Sequence, residues 1–196
     1  MEKAGFATMV NMKIFALYVK INLTKKPEWF EEFLNRYFEP VDLHITLIQP
    51  RYINEKQIDD LESKVAQVME MNIMEGDKKV VFNDLIIDKE TDGKYTFMLN
   101  CRDSGFLANF QKELRSALKD YCAYVDDTTK EYEANFKPHI TIAIDLDNRA
   151  KEEAERYFIS DYRFEGLLGE LVLSVVKDKS LEERNNANNI KIFKFV

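Results

Sequence analysis

A repeated three-residue motif constrains the fold of this chain more than any other sequence feature. The chain has only two histidines, His44 and His139, and each is followed by Ile and then Thr inside an otherwise apolar run. Side chains at positions i and i+2 of a strand point to the same face, so His44 shares a face with Thr46, and His139 with Thr141. The repeat therefore predicts two similar strands, each with its aliphatic face anchored in a core.

The apolar periodicity around the motifs predicts two units with the same order of elements. The first unit comprises strand 12–21, helix 28–38, motif strand 43–48, helix 54–73 and strand 79–88. The second unit comprises strand 95–101, helix 104–122, motif strand 138–145, helix 149–158 and strand 169–177. Because each histidine falls on the third element of its unit, we expect two halves related by pseudo-symmetry.

Capping and loop signals complete the predicted secondary structure. Asn54 and Ser104 are candidate helix N-caps, and Pro40 is predicted to end the first helix. Polar residues 125–135 are predicted to form a connection, and residues 181–189 a polar loop that leads to a closing strand at the C-terminus.

Length and composition fit one domain outside a membrane. We expect a single bilobal domain over 12–196, preceded by a flexible extension over 1–11, since 196 residues with 45% hydrophobic content can bury one core. No apolar run approaches the roughly 20 residues that span a bilayer, and no secretory signal is evident. Cys101 and Cys122 form no CxxC pair, which suits a reducing compartment. A cytoplasmic, monomeric protein is expected.

The net charge of −7 bears on the partners of this chain. Proteins that grip long nucleic acid through its backbone usually present a basic surface, because neutralisation of phosphates dominates such affinity. The charge balance therefore disfavours long duplex nucleic acid and favours a short ligand that needs only a local positive region.

Two His–Thr pairs that face each other across a cleft would suit the cleavage of a phosphodiester. A neutral histidine can take a proton from the attacking hydroxyl or water, and a protonated histidine can give one to the leaving oxygen. Their ordinary pKa of about 6.5 lets both forms coexist near neutral pH. The threonine hydroxyls can donate to the non-bridging oxygens. Two alternatives remain open: buried structural histidines, and a zinc site, which would need a third ligand.

The motifs "HITL" and "HITI" resemble the paired His-x-Thr/Ser-hydrophobic motifs of the 2H phosphoesterase superfamily. The lead-in "FKPHITIA" and the separation of 95 residues between the histidines are also similar to that family. The resemblance implies an α+β, bilobal fold, with two pseudo-symmetric lobes whose antiparallel sheets flank a central cleft and whose helices lie outside. It also implies metal-independent chemistry without a cofactor. His44 and His139 would then be the acid/base pair, and Thr46 and Thr141 would bind phosphate.

Further residues near the motifs are candidates for substrate binding. Tyr52 and Phe136 could stack on a base, and Arg51 is a possible substrate-binding cation just after the first motif. Lys137 shares the predicted face of His139 and could add positive charge beside the phosphate; the alternative is a solvated lysine at the start of the strand. Asp42 lies on the predicted face of His44 and could orient its imidazole. A second reading of the two aromatic residues is simple packing.

The sequence thus predicts a 2H-type phosphodiesterase. Its expected substrates are short RNA ends bearing a 2′,3′-cyclic phosphate, or 2′-5′-linked or cyclic oligonucleotides, and 2′-5′ ligation is the reverse of the cleavage reaction. The alternative is a non-catalytic module that binds nucleotides or RNA ends, or sequesters a cyclic nucleotide. Which histidine is the base, and which direction the reaction takes, stay open at this point.

Overall fold

The computed structural model describes residues 11–38, 41–72, 79–102, 105–159 and 162–195. Three sequence predictions lie outside these ranges: the extension before Asn11, the helix end at Pro40 and the helix cap at Ser104. In the residues described, no helix combines the length and the apolar character needed to cross a membrane.

Seven strands within the described ranges follow the predicted order. They are β1 (Met12–Lys25), β2 (His44–Asn54), β3 (Lys79–Lys89), β4 (Tyr95–Arg102), β5 (His139–Leu146), β6 (Phe164–Val176) and β7 (Ile190–Phe193). Each covers a segment that the periodicity predicts to be a strand. The main differences are length, because β2 continues to Asn54 and β6 begins already at Phe164.

Six α-helices connect these strands in the part of the chain that the structure describes. They are α1 (Phe30–Tyr37), α2 (Ile58–Met71), α3 (Phe106–Ala117), α4 (Thr128–Ala134), α5 (Asn148–Glu155) and α6 (Leu181–Asn185). The sequence missed α4 and α6, which lie in the two segments predicted to be polar connections. The buried side chain of α4 is a carboxylate, Glu133, and α6 buries none, so neither helix has an apolar stripe to reveal it.

The strands exchange between the two predicted units. They form one antiparallel sheet in the order β2-β1-β6-β3-β4-β5, with β7 on β6. The first half therefore consists of β2, β1, β6 and β7, and the second half of β5, β4 and β3. Each motif strand pairs with the first strand of its own unit, but the next strand comes from the other unit. At the centre β3 pairs with β6, from Lys79 opposite Leu167 to Phe82 opposite Phe164.

The motif strands β2 and β5 stand at the two ends of this strand order, yet they contact each other. The sheet must therefore curve until its ends meet. The helices reinforce this closure, because α1 packs against β5 and α3 packs against β2. One buried apolar cluster extends through both halves; its fully buried aromatic members are Phe15, Phe30, Phe33, Phe82, Phe97, Phe110 and Phe164. The α+β class is confirmed.

Candidate active site

The two histidines occupy equivalent positions in the two halves. On β2, His44 lies opposite Lys20 of β1, and Thr46 lies opposite Tyr18. On β5, His139 lies opposite Asn100 of β4, and Thr141 opposite Met98. The backbone frame is thus repeated, whereas the neighbouring side chains differ, so the two imidazoles sit in chemically different surroundings.

Both imidazoles are held by the same main-chain hydrogen bond. The Nδ1 atom of His44 lies 2.8 Å from the carbonyl oxygen of Asp42, and Nδ1 of His139 lies 2.8 Å from the carbonyl oxygen of Lys137. A carbonyl oxygen can only accept, so each Nδ1 carries the proton and donates it. The Nε2 atom of each ring is then the one that can exchange a proton with a ligand.

Two adjoining cavities lie along the motif strands. The first-half cavity has a volume of about 410 Å³ and includes His44 among its lining residues. The second-half cavity has a volume of about 390 Å³ and includes His139. Thr46 and Gln49 line both cavities, so the two spaces adjoin at these residues, and we call the pair of cavities the cleft; His44 lines one of them and His139 the other.

The surroundings of His44 favour its neutral form. Burial lowers the pKa of the His44 imidazole, and the positive charges of Arg184 and His139 act in the same direction, whereas the carbonyl and carboxylate of Asp42 oppose them. The Tyr18 ring covers the imidazole, with ring centroids 4.6 Å apart. Burial raises the pKa of the Tyr18 phenol, which therefore stays protonated near neutral pH.

Asp42 acts on His44 through its main chain as well as its charge. Its carboxylate forms an ion pair with Lys20, at 2.6 Å, while its carbonyl oxygen accepts the Nδ1 proton of His44. The hydrogen bond to Asp42 raises the pKa of the Lys20 ammonium. Because a carbonyl does the orienting, any residue two positions before the histidine could serve.

The remaining residues of the second motif lie in or beside the cleft. Phe136 and Lys137 line the second-half cavity together with His139. Thr141 is partly exposed on β5 and lies opposite Met98, which lines that cavity, but Thr141 itself lines neither of the two cavities. The structure thus brings Thr46, both histidines, Phe136 and Lys137 together.

The prediction that Arg51 contacts the substrate is wrong. Its side chain is 3% exposed and forms an ion pair with Glu133, which is 1% exposed. Its Nη1 atom donates to the carbonyl oxygens of Leu118 and Tyr121, at 3.3 and 2.7 Å, and its guanidinium lies over the Tyr124 ring. The charge of Arg51 is therefore used inside the protein, between β2 and the segment that follows α3.

Tyr52 also lies away from the cleft. Its side chain is 37% exposed and lines neither cavity, and its backbone N–H donates to the carbonyl oxygen of Ala123 at 2.7 Å. The strand continues past the motif in an irregular register, so distance along the sequence from His44 does not predict which residues reach the ligand.

Gln49 lines the cleft, although strict alternation of side chains along β2 would place it on the face opposite His44. Tyr18 of β1 lies opposite Thr46, but the next β1 residue, Leu17, lies opposite Ile48. β2 thus advances two residues where β1 advances one, and this bulge turns Gln49 to the side of His44. No local sequence signal marks the bulge.

The two sides of the cleft differ in charge. The cations that line the first-half cavity are Lys20, Lys179 and Arg184, against one described carboxylate, Asp42. The second-half cavity has two carboxylates, Asp88 and Glu131, and one cation, Lys137. Its other lining side chains include aromatic and apolar groups: Ile86, Met98, Tyr132 and Phe136. Within the described ranges no three His, Cys, Asp or Glu side chains are grouped to hold a metal ion.

Comparison with known proteins gives one family and one fold. The family model described as the 2′-5′ RNA ligase superfamily matches residues 22–179, and no curated protein matches the chain. Kluyveromyces marxianus Usb1 with uridine monophosphate has a TM-score of 0.53 at 10% identity, over 92% of this chain and 98% of Usb1. Escherichia coli LigT complexed with 3′-AMP has a TM-score of 0.52 at 13% identity, over 92% of this chain and 95% of LigT. TT0787 of Thermus thermophilus has a TM-score of 0.50 at 15% identity, over 94% of this chain and 95% of TT0787.

Proposed function

Because this chain belongs to the 2′-5′ RNA ligase superfamily, within the 2H phosphoesterases, we propose that it is a metal-independent phosphodiesterase. Its substrates are a 2′,3′-cyclic phosphate at a short RNA end, or a 2′-5′-linked or cyclic oligonucleotide. The observation that carries the proposal is the shared cleft: two histidines from equivalent strands border it, and each is anchored through Nδ1 so that Nε2 is available.

The different surroundings of the two rings support different roles. Since burial lowers the pKa of His44, this imidazole is neutral near pH 7 and acts as the general base. Its Nε2 takes a proton from the attacking water as the new P–O bond forms. His139 enters as the imidazolium and gives its Nε2 proton to the leaving ribose oxygen as the old P–O bond breaks.

The cleft between the rings holds the phosphate. The hydroxyl of Thr46, which borders both cavities, donates to a non-bridging oxygen where negative charge grows during attack. Thr141 is proposed to have the same role from β5. Proton transfer and charge stabilisation then come from the side chains of this chain, and neither redox change nor a cofactor enters the reaction.

A product screen tests the function directly. The protein is incubated in EDTA with 2′,3′-cyclic mononucleotides, 2′-5′ diadenylate and cyclic dinucleotides, together with UMP and 3′-AMP as binding probes. We expect one of the diesters to be cleaved, and His44→Ala and His139→Ala each to lower kcat by about 10²–10⁴, the usual contribution of a positioned acid or base.

Two results would contradict the proposal. Wild-type turnover in folded His44→Ala protein would remove the two-histidine mechanism. Tight binding of a nucleotide without any product, measured by mass spectrometry, would favour a binding module instead.

A further inference from the structure

The first-half cavity is larger than a scissile phosphate requires. Its floor lies where two small residues face each other on neighbouring strands, since Ala16 of β1 is directly opposite Ser174 of β6. Larger side chains at this pair would fill the space beside His44. The volume of about 410 Å³ falls in the range of built ligand sites, so the cavity has room for a part of the substrate beyond the reacting diester.

The positive charge of the cleft is concentrated in this cavity. Its described lining residues include three cations, Lys20, Lys179 and Arg184, and one carboxylate, Asp42, which pairs with Lys20. The neighbouring second-half cavity has more carboxylates than cations. In a chain with a net charge of −7, a cationic rim beside the proposed phosphate site favours an anionic ligand.

The segment that carries Lys179 and Arg184 is held in shape by its own hydrogen bonds. The carboxylate of Asp178 accepts from the N–H of Ser180 at 2.8 Å, and the hydroxyl of Ser180 accepts from the N–H of Glu183 at 3.3 Å. Glu183 Oε2 in turn accepts from the N–H of Lys177 and the Nδ2 of Asn189, both at 3.0 Å. A frame of this kind lowers the ordering cost of binding.

From these observations we propose that Lys179 and Arg184 bind a second phosphate group of the substrate, in the first-half cavity beside His44. The inference rests on the proposed function and narrows its substrate class. The preferred substrate is a diester whose nucleotide carries a further phosphate, either a terminal phosphomonoester or the next diester of an oligonucleotide. A cyclic mononucleotide has one phosphate and leaves this site empty.

The test compares matched substrates that differ only in the second phosphate. The set contains 2′-5′ diadenylate without a terminal phosphate, the same dinucleotide with a 5′-phosphate, the same with a 3′-phosphate, and a cyclic dinucleotide. The kcat/KM values of wild type, Lys179→Ala, Arg184→Ala and the double variant are measured at pH 7, where His44 is neutral. Lys177→Ala is the matched control, because it removes one positive charge from the same segment outside the cavity lining.

We expect each single substitution to lower kcat/KM about tenfold more on the best phosphate-bearing substrate than on unphosphorylated diadenylate, a factor that corresponds to about 1.4 kcal/mol. Lys177→Ala keeps the wild-type ratio. The pattern among the 5′-phosphate, 3′-phosphate and cyclic substrates identifies the source of the second phosphate. Equal losses on all substrates, or the same discrimination by Lys177→Ala, would overturn the proposal.

A binding experiment separates this inference from the proposed function. Affinities for AMP and adenosine 3′,5′-bisphosphate are measured by calorimetry with wild type and the double variant. A preference for the bisphosphate that the double variant loses supports the site even if the wild type cleaves no diester. Equal affinity of wild type for the two probes overturns the site even if cleavage is observed.

Discussion

The substitution Glu133→Gln tests how the buried charges of this protein are balanced. The Glu133 carboxylate pairs with Arg51, and both side chains are almost fully buried. It also accepts hydrogen bonds from the Tyr124 hydroxyl and the Gln49 N–H, each at 3.0 Å. Glutamine keeps the shape but removes the negative charge, so the guanidinium of Arg51 loses its buried counter-charge.

The expected cost follows from that burial. Breaking a buried ion pair by neutralising one partner typically destabilises a protein by about 3–5 kcal/mol. With a urea dependence of about 2 kcal/mol per molar, the unfolding midpoint should fall by about 1.5–2.5 M. Urea unfolding followed by far-UV circular dichroism measures this shift. An unchanged slope would show that the loss lies in stability rather than in a less compact native state.

Glu153→Gln is the matched control for this experiment. Glu153 pairs with two arginines, Arg149 and Arg36, but their side chains are 88% and 52% exposed. Surface pairs of this kind each contribute less than about 1 kcal/mol, so the loss of both should move the midpoint by less than about 1 M. The reasoning is refuted if Glu133→Gln lowers the midpoint no more than Glu153→Gln does.

Two further predictions concern the cleft. The acid limb of kcat/KM against pH should lie below 6.5, because burial lowers the pKa of His44 and activity is lost as the pH falls through that pKa. Arg184→Ala should move this limb to higher pH, and Asp42→Asn should move it to lower pH. Shifts of both variants in the same direction would contradict the assignment of the limb to His44. Phe136→Ala should raise KM about tenfold for a nucleotide substrate but not for ribose 2′,3′-cyclic phosphate, since base stacking contributes about 1–3 kcal/mol; equal effects on both substrates would show that Phe136 serves only packing.

The elements that bury an apolar face were predictable from the sequence, as were the motif strands. Period-two and helical patterns record which side chains leave water, and these patterns located β1 to β7 and the helices with apolar stripes. Helix α4 escaped because it buries Glu133, a charged residue whose burial depends on Arg51, far away in the sequence. A pairing of this kind has no local signature.

The candidate site was predictable only where it follows the regular strand pattern. His44, Thr46 and His139 reach the cleft in the way that alternation predicts. Gln49 does not, because the β2 bulge brings it to the face of His44. Arg51 lies seven positions after His44, so alternation places it on the opposite, buried face, as observed. The Nδ1 hydrogen bonds were also beyond sequence reasoning, since their acceptors are main-chain carbonyl groups.

The central pairing of β3 with β6 limits how far the two halves can move apart. Moving the two halves apart would break main-chain hydrogen bonds between β3 and β6 along the register from Lys79 to Phe82. Each of these two strands belongs to one sequence unit but pairs within the half built around the other. A hinge between lobes is therefore costly in this fold. The spacing of the two imidazoles is therefore built into the sheet before any ligand arrives.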